Sequence, residues 1–75
     1  MRILGLDPGT GRLGYAVIDV ARGPVRCLTF GCAETTAHHA PSARLRELRD
    51  VIQSVCTQFH PDQAVLERLY FSKNV

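Results

Sequence analysis

The stretch ILGLDPGTGRLGYAVID, residues 3–19, decides how this chain is read. A short apolar run ends in an acid, Asp7, breaks into Pro-Gly-Thr-Gly, and resumes as a second apolar run. Apolar runs of this length, rich in β-branched residues and separated by turn formers, predict two strands joined by a hairpin, residues 2–7 and 13–20, with the turn in residues 8–12. A carboxylate closing a half-buried strand costs free energy unless a cation pairs with it or a metal binds it. Asp7 is therefore the first candidate for chemistry.

Working outward, residues 21–24 (ARGP) read as the next turn and residues 25–34 as a third strand, which gives a three-stranded antiparallel meander. Residues 35–41 read as loop. In residues 42–59 the apolar side chains Leu45, Leu48, Ile52, Val55, Cys56 and Phe59 recur at spacings of three and four. Arg44, Arg46, Arg49 and other polar residues take the opposite, solvated face, so the segment predicts an amphipathic helix. Pro61 disfavours helical angles at His60 and ends it. Residues 63–67 then form a short fourth strand.

Two hairpins make the first and third strands co-directional, and a helical crossover returns the fourth in that same direction. Asp7 and Glu67 thus close co-directional strands on one edge of the sheet. Pairing of the fourth strand with the free side of the first would set the two chains about 4.8 Å apart; pairing beside the third would separate the acids. The chemistry favours the first arrangement. Two carboxylates on adjacent strand ends form a hard-oxygen site suited to Mg²⁺ or Mn²⁺, and glycines at positions 9 and 11 let a phosphate backbone approach Asp7 closely. A solvated pair of acids beside a tight hairpin is the plainer alternative.

Composition sets bounds on this reading. Seventy-five residues, 45% hydrophobic and 21% charged, describe an ordinary globular chain of one domain at most, burying roughly 60% of its unfolded surface. The apolar run before Asp7 is too short for a signal peptide, so a cytoplasmic protein without a membrane span is expected. A net charge of +2 is compatible with an anionic partner without requiring one. Cys27, Cys32 and Cys56 form no C-x-x-C pair. On a regular strand Cys27 and Cys32 would fall on opposite faces, and all three are read as small buried residues. His38, His39 and His60 lack partners at ligand spacing. A four-stranded sheet with one helix leaves one face bare, so the chain is expected to be an N-terminal fragment of a longer domain.

With LERLYFSKN, residues 66–74, the opening stretch resembles the N-terminal half of the RuvC family, the crossover junction endodeoxyribonucleases that resolve Holliday junctions on a ribonuclease H-like fold. The resemblance covers essentially all 75 residues. It implies an α/β mixed sheet of three antiparallel strands, a helix and a parallel fourth strand. It also implies that Asp7 and Glu67 are two of four acids holding two catalytic Mg²⁺ (or Mn²⁺) ions, the other two lying near the family's C-terminus. Tyr70 matches the family's base-stacking aromatic, with Phe71 beside it and the choice between the rings open. Lys73 and Asn74, with Gly9 and Thr10 of the turn, are the further candidate DNA contacts. Four-way junction DNA, a homodimer partner and the RuvA–RuvB branch-migration complex are the implied partners. A YqgF-like nuclease of RNA processing and an ATP-phosphate-binding domain of the actin, sugar-kinase and Hsp70 superfamily are the competing readings.

Overall fold

The computed structural model describes residues 1–9, 11–35 and 39–67. In chain order these form β1 (Arg2–Gly9), β2 (Arg12–Asp19), β3 (Arg26–Glu34), the helix α1 (Pro41–Phe59) and β4 (Gln63–Leu66). The strands make one sheet in the order β3-β2-β1-β4, with β4 on the outer side of β1. β1–β2 and β2–β3 are antiparallel and β1–β4 is parallel. The expected mixed sheet is what the chain forms, and β4 takes the position that brings the two acids together.

Several boundaries differ from the sequence reading. β1 runs two residues past Asp7, and β2 begins at Arg12, so only residues 10 and 11 separate the paired Gly9 and Arg12. Asp7 therefore sits inside the strand, opposite Gly14, and Glu67 lies just beyond β4. Pro8, which has no N–H to give to a ladder, lies past the last described β4 partner of β1. Gly11 adopts φ +68°, a left-handed conformation that glycine accepts without steric cost.

Period-two alternation assigns the two faces of the sheet. Leu4, Leu6, Leu13, Tyr15 and Val17 point toward α1, and a core forms where Leu4 (2% exposed) and Val17 (0%) meet Val55. Burying each such side chain contributes about 1.5–3 kcal/mol. Ile52, Cys56 and Phe59 pack around this core. Leu45 does not: it is 69% exposed, because in the first turns of α1 the inward direction is taken by the half-buried Arg44. Arg44 thus leaves the solvated face to Arg46 and Arg49, both exposed.

A bulge breaks the regularity of β3. Val17 pairs with Thr29, yet the next residue, Ile18, pairs with Cys27, so Leu28 is extra and turns to the core. The inserted residue reverses the parity of the strand's first residues. Cys27 and Cys32 accordingly share the face opposite α1, and both are exposed rather than buried; only Cys56 is even partly covered.

Arg2 fastens the far end of the molecule. Its guanidinium donates to Asp19 (Nε to Oδ1, 3.0 Å) and to the Phe59 carbonyl (2.6 Å). Its backbone N–H donates to Asp62 Oδ2 at 2.8 Å, and its carbonyl accepts from the Asp62 N–H at 2.7 Å. The helix end, capped by His60 in the left-handed conformation (φ 49°), is thereby held where β4 must start. Each β4 residue then lies beside the β1 residue 60 positions earlier, from Ile3 with Gln63 to Leu6 with Leu66.

Candidate functional site

The same register carries Asp7 and Glu67 to one row. Glu67 donates its backbone N–H to the Leu6 carbonyl at 3.0 Å, which extends the β1–β4 ladder by one step past Leu66. Both acids have the parity of the face opposite α1, both are exposed, and both line an open groove of about 600 Å³. Strands this close place the two backbones about 4.8 Å apart, within reach of a shared cation.

The floor of the groove is low because small residues form it. Gly5 lies between Ala16 and Val65 and Gly14 lies opposite Asp7, and a Cβ on Gly14 would stand 3.6 Å from that of Asp7, an ordinary van der Waals contact. On the hairpin side a second concavity, about 340 Å³, is lined by Asp7, Pro8, Gly9, Arg12, Gly14 and Cys32. Arg12 pairs with the exposed Glu34 (Nη2 to Oε1, 3.1 Å). The Cys32 sulfur, and after it Glu34, raise the Arg12 guanidinium pKa above its ordinary value. Arg12 and Cys32 escaped the sequence reading because their position beside Asp7 depends on the two-residue turn and on the exact β2–β3 register.

Among the described residues neither Asp7 nor Glu67 accepts a side-chain hydrogen bond or joins an ion pair. Two adjacent, hydrated carboxylates without a cation suit a hard divalent ion, which prefers oxygen ligands and retains several waters. Two carboxylates supply only part of the coordination such an ion requires, and no cluster of three His, Cys, Asp or Glu side chains occurs among the described residues. His39 pairs with Glu47 instead, and His60 caps the helix. Thr10, His38, Tyr70, Phe71, Lys73 and Asn74 lie outside the described residues; of the predicted DNA contacts only Gly9 is placed, at the mouth of the second concavity. No helix among the described residues is long and apolar enough to cross a membrane.

A mixed sheet of three antiparallel strands and a parallel fourth returned by a helical crossover defines the chain as an α/β fold, and comparison with known proteins narrows it. Residues 3–75 match the family model described as crossover junction endodeoxyribonuclease RuvC. The chain belongs to the RuvC family. A Treponema pallidum protein, crossover junction endodeoxyribonuclease RuvC, is 41% identical over 73 residues, 97% of this chain and 37% of its own length. The protein of that name from Finegoldia magna is 36% identical over 75 residues, covering 100% of this chain and 46% of the relative. The chain thus spans less than half the length of these relatives. In three dimensions it resembles Thermus thermophilus RuvC in complex with Holliday junction substrate, with a TM-score of 0.86 at 23% identity over 99% of this chain and 48% of the other. That likeness establishes the fold, which is ribonuclease H-like.

Proposed function

We propose that this chain is the N-terminal portion of a ribonuclease H-like nuclease domain whose full-length form cuts Holliday junctions, with Asp7 and Glu67 as two of its metal-binding acids. The observation that carries the reading is the β1–β4 register, which sets two exposed carboxylates side by side, with no cation paired to either among the described residues, in a chain of the RuvC family. Junction DNA as the substrate follows from what the Thermus relative binds. By the same family resemblance the working form is a cytoplasmic homodimer in DNA recombination and repair, acting with the RuvA–RuvB complex.

Mg²⁺ bound there would activate a water and stabilise the leaving phosphate oxygen. Asp7 and Glu67 contribute negative charge and hard oxygens from a rigid pair of strands. Gly5 and Gly14 contribute room, leaving the groove open to a nucleic-acid backbone. The remaining acids come from the part of the nuclease outside residues 1–75, and aromatic stacking on an unpaired base falls to Tyr70 or Phe71.

Thermal unfolding of the full-length protein with and without Mg²⁺ tests the metal site directly, because a ligand that binds only the folded state raises Tm. Mg²⁺ should raise the Tm of the wild type and leave those of Asp7→Asn and Glu67→Gln unmoved, while four-way junction cleavage disappears in both variants and binding persists. Cleavage retained by either variant would refute the assignment.

A further inference from the structure

Of the three arginines in the first half of α1, Arg44 alone turns inward. Its Nε donates to Thr35 Oγ1 at 3.0 Å. Thr35 in turn donates from its hydroxyl (3.1 Å) and its backbone N–H (2.9 Å) to the carbonyl of Gly11. The Thr35 hydroxyl is thus used both ways, as acceptor and as donor. The guanidinium lies so close to the hairpin tip that a Cβ on Gly11 would stand 2.6 Å from its Nη2. The backbone angle at position 11 (φ +68°) favours glycine, and glycine also leaves the guanidinium its place against the tip. The start of α1, the residue after β3 and the distant β1–β2 turn converge there.

Arg2 and Arg12 each have a carboxylate partner, Asp19 and Glu34. Arg44 has none among the described residues. A half-buried guanidinium without a counter-charge is only partly compensated for lost hydration by its bond to Thr35, and among the described residues its Nη donors have no hydrogen-bond partner. Its orientation is already fixed by Thr35, so an arriving anion need not immobilise a long side chain. The planar fork suits a phosphate. The tip belongs to the hairpin whose first arm carries Asp7, four residues before Gly11.

We infer that Arg44, held by Thr35 against Gly11, contacts a backbone phosphate of the nucleic-acid strand that runs from the Asp7–Glu67 groove across the hairpin tip. The inference rests on the nuclease reading above. Thr35 is a positioning residue, and Arg46 and Arg49 have no part in the contact.

Metal-free binding of the full-length protein to a labelled four-way junction, measured from 50 to 300 mM KCl alongside Tm, tests it. Neutralising one phosphate contact lowers the slope of log K against log[salt] by about 0.9, and losing a hydrogen bond to a charged group weakens binding roughly tenfold or more. Arg44→Ala should show both effects; Arg44→Gln, which keeps a donor for Thr35 but no charge, should show the same slope change and serves if the alanine variant does not fold. Arg44→Lys should keep the wild-type slope, Thr35→Val should weaken binding at an unchanged slope, and Arg46→Ala should alter neither. An unchanged slope in the folded Arg44→Ala or Arg44→Gln protein would overturn the inference and leave the nuclease reading intact. So would an equal slope change in Arg46→Ala. A wild type that binds no junction at all would overturn both.

Discussion

The two ends of β1 present the same kinds of side chain and treat them differently. At the first end, Asp19 and Asp62 are both engaged by Arg2, through its guanidinium and its backbone N–H. At the other, about 17 Å along the strand, Asp7 and Glu67 lie on neighbouring strands with no cation of the described residues beside them. A carboxylate already matched by a fixed guanidinium is saturated, and its free energy is expressed as stability. Two unmatched carboxylates on one row repel each other and favour whatever cation arrives. Charge balance thus separates acids engaged in holding the fold from a pair that no described cation matches.

The largest expected effect would break that distinction if it failed. Asp7→Asn should lower junction cleavage by the full-length protein on the order of 10³-fold, since a metal contributes several kcal/mol of charge stabilisation and 1.36 kcal/mol is tenfold. It should not lower Tm. Leu4→Ala is the opposite case: loss of this fully covered side chain should cost about 2–5 kcal/mol in denaturant unfolding, with cleavage per folded molecule retained. Arg2→Met should also reduce Tm, by less than Leu4→Ala, because it removes the guanidinium's bonds to Asp19 and the Phe59 carbonyl but keeps the backbone pairing with Asp62. Cleavage falling in step with Asp7→Asn would erase the contrast between the ends.

A pH titration sharpens it. The hydrogen bond from Arg2 holds the Asp19 carboxyl below its ordinary value, against an opposing contribution from partial burial and with further help from the charge of Arg2. A folded-state pKa lowered in this way gives stability that is present above the unfolded value, about 3.9, and lost as pH falls through the folded one. Tm should be insensitive to this pair between pH 5 and 7 and should fall below about pH 4, with a shallower fall in Asp19→Asn. The smallest effect belongs to the exposed Arg12–Glu34 pair: Glu34→Gln should leave Tm unchanged within error, as solvent-exposed ion pairs generally do.

What could be read from the residues was whatever rests on period and order. The meander, the helix and the direction of β4 follow from alternation, helical spacing and the handed crossover; its place beside β1 rather than β3, and with it the pairing of residues 7 and 67, rested on the chemistry of the two acids alone. What could not be read rests on single-residue register. The extra Leu28 puts Cys27 and Cys32 on one exposed face, and nothing in CLTFGC marks where a ladder will slip. Arg44 fits a solvated helix face by spacing alone; its inward turn depends on where Thr35 and Gly11 come to rest. Leu45 is the counterpart, apolar by type and left in water.

The parallel pairing of β1 with β4 also orders events in time. Sixty residues separate Asp7 from Glu67, so at synthesis rates of about 5–20 residues per second the first acid emerges some 3–12 seconds before the second. During that interval β1 and β2 can close as a local hairpin, while the outer edge of β1 has no mate and the row of acids is half built. Loop closure over such a span is the slow, entropically costly contact of this fold. A nascent chain therefore acquires its scaffold early and its cation-attracting character late, when the fourth strand zips into place.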